Sequence, residues 1–149
     1  MFTTTYHSPI GPLYIAEQDG AIRYLVFSPV PGKTEETPLL KECAAQLDAY
    51  FNGTLRTFDL PLAPVGTPFQ MRVWHTLQTI PYGATWSYKT LAETADCPRG
   101  YRAVGLANNR NPISIFIPCH RVIGSSGKLT GYGGGMDNKA FLLELESRS

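Results

Sequence analysis

The run Ile113-Ser114-Ile115-Phe116-Ile117 constrains this chain more than any other stretch, because so much apolar surface has to be buried. The composition of the run predicts a buried strand. Pro118 follows and cannot donate to a ladder, so the strand is expected to end there. Cys119 and His120 come next, at the point where a rigid element hands a side chain to a loop. A thiolate is the nucleophilic form of cysteine, and an adjacent base makes it available near neutral pH. The competing reading is a buried, inert cysteine beside a surface histidine. Context decides between them.

Before that stretch, the first half of the chain reads as a supporting unit. Phe2 to Phe27 reads as three strands in a meander, with turns at Pro9-Ile10-Gly11-Pro12 and Gln18-Asp19-Gly20. Pro29 to Pro38 reads as a loop. Leu40, Cys43, Ala44, Leu47, Tyr50 and Phe51 then recur at helical spacing, with Gly53 as a stop. Cys43 on that apolar face reads as core. Thr57 to Leu62 is expected to be a further strand, and Pro61, Pro64 and Gly66 mark a linker. The boundaries predicted are 1–62 for an N-terminal α/β unit and 67–149 for a second, helical unit.

The second unit opens on Thr67-Pro68-Phe69-Gln70, which combines a capping threonine, a proline at the first helical position and a glutamine three residues after the cap. That helix is expected to run to about Thr79, with Phe69, Val73, Trp74 and Leu77 inward and His75 outward. Ser87 reads as the cap of a short helix, Tyr88 to Ala95. Cys97-Pro98 makes a turn, and a second helix runs from about Arg99 to Asn109. Two short helices joined by a tight turn read as a helix-turn-helix. Ala103, Gly105 and Ala107 give the second helix a small-residue face. Such a face suits close approach to a minor groove but cannot read bases through bidentate bonds. Tight packing in a core is the alternative. A last helix is expected from Met136 to Glu146, after a glycine-rich stretch around Tyr132, with Glu146 turned inward.

Charge adds little. The formal net charge is +1, so no global field announces a nucleic-acid partner, although Arg99, Arg102, Arg110 and Arg121 could form a local basic patch. None of the three cysteines lies in a C-x-x-C pair, which argues for reduced thiols rather than disulfides or a zinc site. The N-terminus does not read as a signal peptide, and no apolar run approaches membrane-spanning length. A cytoplasmic protein is expected.

From Thr67 to Glu146 the ordered motifs resemble those of the O6-alkylguanine-DNA alkyltransferases. The residues that carry the resemblance are Pro118-Cys119-His120-Arg121-Val122-Ile123, Arg102-Ala103-Val104-Gly105, Asn111-Pro112, Gly131-Tyr132-Gly133-Gly134-Gly135, Lys139 and Leu142 to Glu146. The resemblance implies an α+β protein. A small ribonuclease-H-like N-terminal domain would precede a winged-helix-like domain containing the helix-turn-helix. It implies direct-reversal repair, in which one alkyl group passes from O6-alkylguanine, and also O4-alkylthymine, to Cys119 in a single turnover. His120 would act as base through a bridging water, Glu146 would hold the imidazole, and Tyr88 with Lys139 would serve the leaving purine. Val122, Tyr132 and the Gly133 N–H would bind the base. Arg102, Ala103, Gly105, Ala107 and Asn111 would belong to the DNA-binding helix and its hinge. Some family members carry serine where this chain has Gly133. Double-stranded DNA is the implied partner of a monomer with no cofactor and no metal. Three rivals differ in one feature each. A non-catalytic lesion binder would lack Cys119. A helix-turn-helix regulator would carry long polar side chains along its second helix. A cysteine hydrolase would need an oxyanion site.

Overall fold

A computed structural model describes residues 1–124, 127, 132 and 134–148. The architecture is mixed α+β. Strands β1 (Phe2–Ser8), β2 (Gly11–Gln18) and β3 (Ala21–Val26) form the expected antiparallel meander. The Pro29–Pro38 segment also contributes a short strand, β4 (Lys33–Thr34), which pairs parallel to β1 and gives the order β3-β2-β1-β4. Helix α1 (Pro38–Phe51) starts on the Thr37 hydroxyl, which accepts from the Leu40 N–H. It buries Leu40, Cys43, Leu47 and Tyr50. Gly53 follows its end at φ 79°, a conformation that favours glycine.

The segment Thr57 to Leu62 is not a strand. Only Leu62 pairs, in an isolated bridge to Ile22, flanked by Ile22 N–H to Pro61 carbonyl (2.8 Å) and Ala63 N–H to Ile22 carbonyl (2.8 Å). Pro61 has no N–H to extend the ladder.

Helix α2 (Pro68–Leu77) has the full reciprocal capping box, with Gln70 N–H donating to the Thr67 hydroxyl and Thr67 N–H to the Gln70 side chain. It stops at Leu77 rather than Thr79, because the last residues tighten into three-residue bonds, Thr79 N–H to Thr76 carbonyl and Ile80 N–H to Leu77 carbonyl. Helix α3 (Tyr88–Thr94) is capped by Ser87, and α4 (Tyr101–Asn109) begins two residues later than expected, after Gly100. The Trp74 indole N–H donates to the Ala107 carbonyl at 2.8 Å and locks α2 against α4.

The apolar run at 113–117 is buried, but it is not a regular strand. Ile113 bridges Leu25 of β3, and Ser114 bridges Ile117 around a turn in which Ile115 has φ 73°. A positive φ at a β-branched residue is strained. Here full burial of Ile113, Ile115 and Ile117 holds the turn in place. Pro118 then leads into a 3₁₀ turn, Cys119–Arg121, so Cys119 opens a helical turn instead of closing a strand. Strand β6 (Val122–Ile123) follows and pairs parallel to β5 (Trp86–Ser87). Helix α5 (Met136–Ser147) closes the chain.

One apolar cluster runs through both halves, from Leu13 and Leu47 to Val122 and Leu142. Backbone bonds sew the halves together, Leu25 N–H to Pro112 carbonyl (3.0 Å) and Ser114 N–H to Leu25 carbonyl (2.9 Å). No helix among the described residues is long and apolar enough to cross a membrane. Removing the α2 cap tests the local reading directly. Thr67→Ala is expected to lower unfolding stability by about 1 kcal/mol in urea denaturation, with the m-value unchanged.

Candidate active site

The 3₁₀ turn is held from three sides. Asn111 Nδ2 donates to the Ile117 carbonyl (2.8 Å), and its Oδ1 accepts from the Ile113 N–H (3.0 Å), so one side chain clamps the bend that leads to Cys119. Asn108 Nδ2 faces the Cys119 carbonyl at 3.5 Å. Pairing of β5 with β6 brings the cap of α3, and with it Tyr88, alongside the turn. Helix α5 supplies Lys139 and Glu146, both buried.

Glu146 is the electrostatic centre. Its carboxylate lies 2.8 Å from His120 Nε2, accepts from Arg121 Nε (2.8 Å) and Nη2 (3.1 Å), and accepts the Tyr50 hydroxyl at 2.6 Å. Burial alone would raise its pKa. The His120 hydrogen bond and the Arg121 guanidinium outweigh burial and hold it down at about 2. His120 is fully buried, and burial pushes its pKa below the usual histidine value, so the neutral imidazole is favoured. An ionised carboxylate has no proton to give, so Nε2 must carry the hydrogen that Glu146 accepts. That assignment leaves Nδ1 as a bare lone pair, and Nδ1 is buried without a hydrogen-bond partner among the described residues. Burial pushes the Cys119 thiol up, while the Asn111 side chain, Lys139 and the Ser114 hydroxyl pull the other way. Lys139 Nζ donates to the Val122 carbonyl at 2.6 Å, and burial lowers its pKa.

A cavity of about 400 Å³ opens beside Cys119, and Asn108, Asn111, Ser114 and Tyr132 share its wall. Its far side comes from β3 and the residues just after it, through Tyr24, Val26, Phe27 and Ser28. The Phe27 and Tyr132 rings meet edge to face at 5.7 Å, and a Cβ on Gly134 would lie 2.4 Å from the Phe27 ring. Tyr88 and Val122 do not line this cavity. Gly133 lies outside the described residues. Among the described residues, no three His, Cys, Asp or Glu side chains gather as a metal would need.

On α4 the small residues do not share one outward face. Arg102 and Ala103 are exposed, but Ala107 is buried under Trp74, and Gly105 faces the Tyr88 ring, where a Cβ would sit at 3.6 Å. Leu106 is exposed as well, at 55%, as is Tyr101 at the start of the helix. Arg121 is no part of a surface basic patch. It is 7% exposed and spent on Glu146 and the Ile80 carbonyl. Sequence reasoning missed Arg121 and Tyr50 as partners of Glu146. The adjacency of Arg121 to His120 was a usable signal for the first, and Tyr50 looked only like core. Phe27 and Asn108 carried no sequence signal.

The low carboxyl pKa of Glu146 predicts acid behaviour. A depressed folded-state value gives stability that is whole above the ordinary 4.5 and lost as pH falls toward about 2. Glu146→Gln is expected to destabilise the fold by roughly 3–5 kcal/mol at pH 7, since Arg121 would remain buried without its counter-charge. The gap to the unsubstituted protein should narrow as pH falls below 4.5. Urea denaturation at a series of pH values checks both.

Two family models match the chain. Residues 1–64 match the 6-O-methylguanine DNA methyltransferase ribonuclease-like domain, and residues 68–148 match the DNA binding domain of the same family. A methylated-DNA–protein-cysteine methyltransferase of Methanosarcina barkeri is 51% identical, across 100% of this chain and 99% of the relative. One from Mycobacterium tuberculosis is 51% identical, across 95% of this chain and 90% of the relative. The crystal structure of Mycobacterium tuberculosis OGT in complex with DNA superposes with a TM-score of 0.89 at 47% identity, covering 99% of this chain and 93% of that one.

Proposed function

The chain belongs to the O6-methylguanine DNA methyltransferase family, and on that premise we propose that it repairs DNA by transferring an alkyl group from O6-alkylguanine to its own Cys119. The observation that carries this reading is the buried relay of His120, with Nε2–H given to Glu146 and Nδ1 bare, next to Cys119 in one turn.

Residues 1–62 act as the supporting unit, and residues 67–149 bind DNA and carry out the transfer. A base inside a duplex cannot reach a buried sulfur, so the lesion is turned out of the stack. Helix α4 approaches the minor groove, with Ala103 and the backbone near Gly105 allowing close contact, and exposed Arg102 fills the gap left by the base. Asn111 couples that helix to the reactive turn. The guanine is bound against Tyr132, the Val122 carbonyl and the Gly133 N–H.

Because burial keeps the Cys119 thiol protonated at rest, proton removal has to accompany the reaction. His120 Nδ1 takes the thiol proton through a bridging water, and Glu146 stabilises the imidazolium that results. Sulfur attacks the alkyl carbon, the bond from carbon to O6 breaks, and Tyr88 with Lys139 supplies the proton that neutralises the purine. The product is a thioether, which thiol exchange cannot reverse. The protein is therefore spent after one transfer. It is proposed as well to act as a monomer and to take O4-alkylthymine as a second substrate, as the family resemblance implies.

Incubating the protein with an O6-methylguanine oligonucleotide and weighing the intact protein tests the core reading. One added methyl per chain is expected, with lesion in excess giving no further repair. Cys119→Ser should abolish the transfer and keep DNA binding, because a hydroxyl is far less ionised than a thiol at neutral pH. Repair of many lesions per chain, or repair by the serine variant, would overturn the reading.

Arg102→Ala separates base extrusion from chemistry. Flipping takes a few kcal/mol in a duplex and nothing for a free base, so duplex repair should fall by roughly a hundredfold or more while reaction with free O6-benzylguanine changes little. Equal losses in the two single-turnover rates would assign Arg102 a structural part instead.

A further inference from the structure

The cavity beside Cys119 holds polar atoms that the transfer chemistry does not use. Asn108 is 2% exposed and lines the cavity. Its amide nitrogen reaches only the Cys119 carbonyl, at a long 3.5 Å, and its Oδ1 is buried with no hydrogen-bond partner among the described residues. The Tyr132 hydroxyl, on the wall of the same cavity, is likewise buried without a hydrogen bond of ordinary geometry, although Ser114 lies beside it. Buried polar groups are almost always paired, and those left unpaired in a folded protein call for a ligand, a water or an ion. Both atoms belong to residues that line one cavity next to the sulfur that receives the alkyl group, so a substituent that enters past the cavity wall would find them unpaired.

We propose that this cavity is a subsite for hydroxyl-bearing alkyl groups, in which Asn108 Oδ1 accepts the substrate hydroxyl and Tyr132 pairs with its oxygen. The proposal rests on the alkyl-transfer reading above. A methyl group carries no hydroxyl to offer either atom. A 2-hydroxyethyl group has its hydroxyl two atoms farther out, within a volume of about 400 Å³. The reaction itself is unchanged. Sulfur gives up its proton to His120 and bonds to the CH₂ attached to O6, that carbon–oxygen bond breaks, its electron pair stays with guanine, which takes up the proton supplied by Tyr88 with Lys139, and Cys119 becomes a hydroxyethyl thioether. Access to both atoms comes by displacement of the Tyr132 ring, which forms one wall and is braced edge-on by Phe27.

An isosteric pair of lesions isolates the hydrogen bond from size. Two duplexes of one sequence, carrying O6-(2-hydroxyethyl)guanine and O6-propylguanine, compete for a limiting amount of the full chain. Intact-protein mass then gives the ratio of the two thioethers. A third reaction with O6-methylguanine serves as the reference. The unsubstituted protein should favour hydroxyethyl by about tenfold, the scale of one buried polar group satisfied against left bare. Asn108→Leu keeps the volume and removes the acceptor, so the ratio should fall to near one or invert, whatever happens to the absolute rate. Tyr132→Phe should lower the ratio as well, and it decides the matter alongside the unsubstituted protein if the leucine variant does not fold. A ratio of one or less in the unsubstituted protein would overturn the subsite, and a ratio unmoved by both substitutions would remove these residues from it. Absence of any adduct, O6-methylguanine included, would instead overturn the alkyl-transfer reading.

Discussion

The buried carboxylate of Glu146 is the constraint on which the rest depends. Removing a charge from water is expensive, and a lone carboxylate in this core would take up a proton instead. Glu146 stays ionised because four hydrogen bonds converge on it from two distant parts of the chain, His120 and Arg121 from the 3₁₀ turn and Tyr50 from α1. Each donor gains from the others. Arg121 supplies the counter-charge, Tyr50 fills a remaining lone pair, and His120 is fixed in one tautomer. Loss of Arg121 would leave the histidine hydrogen bond intact on paper, but it would let the carboxyl titrate upward and blur the tautomer. The pairing is thus structural and chemical at once, and α1 of the N-terminal half has a hand in it through Tyr50.

That last contact changes how the first half should be understood. Cys119, His120 and α4 all lie in the second half, yet three features of the first reach the site. Tyr50 completes the Glu146 shell. Leu25 receives and gives backbone bonds to Pro112 and Ser114, which anchors the bend leading to Cys119. Phe27 braces Tyr132 and sits where a side chain on Gly134 would be. The reactive turn is therefore wedged between two sheets and a helix, and the single apolar cluster that runs through both halves follows from this.

Much of the fold was legible in local signals. The meander, the Thr67 capping box, the Ser87 cap and the inward Glu146 rest on periodicity and cap chemistry, which act within a few residues. What failed depended on partners far away in the chain. The run at 113–117 is as apolar as a buried strand, but hydrophobicity fixes only that it is buried, and the turn at Ile115 comes from how Ile113 docks on Leu25. Arg121 reads as one more basic residue until Glu146, 25 positions away, is seen to take two of its hydrogens. Ala103 and Ala107 look equivalent at helical spacing. The Trp74 hydrogen bond puts one in the core and leaves the other in solvent. Composition could not show that Leu106 would be exposed on α4 beside Ala103.

The 3₁₀ turn resolves a difficulty that the sequence posed. On an extended strand, Cys119 and His120 would point to opposite faces. A 3₁₀ turn advances about 120° per residue, so three consecutive side chains radiate in three directions. Cys119 faces the cavity, whereas His120 and Arg121 both reach the Glu146 carboxylate, Arg121 also donating to the Ile80 carbonyl and lying over the Tyr82 ring. A strand would have put Cys119 and Arg121 on one face, with a guanidinium crowding the thiol. The turn separates them while keeping His120 adjacent to the sulfur in the chain. The turn is held in place by a proline before it, an asparagine clamp on the preceding bend and a strand pairing after it. Those restraints let one short stretch of backbone present the Cys119 thiol, the His120 imidazole and the arginine that keeps Glu146 charged.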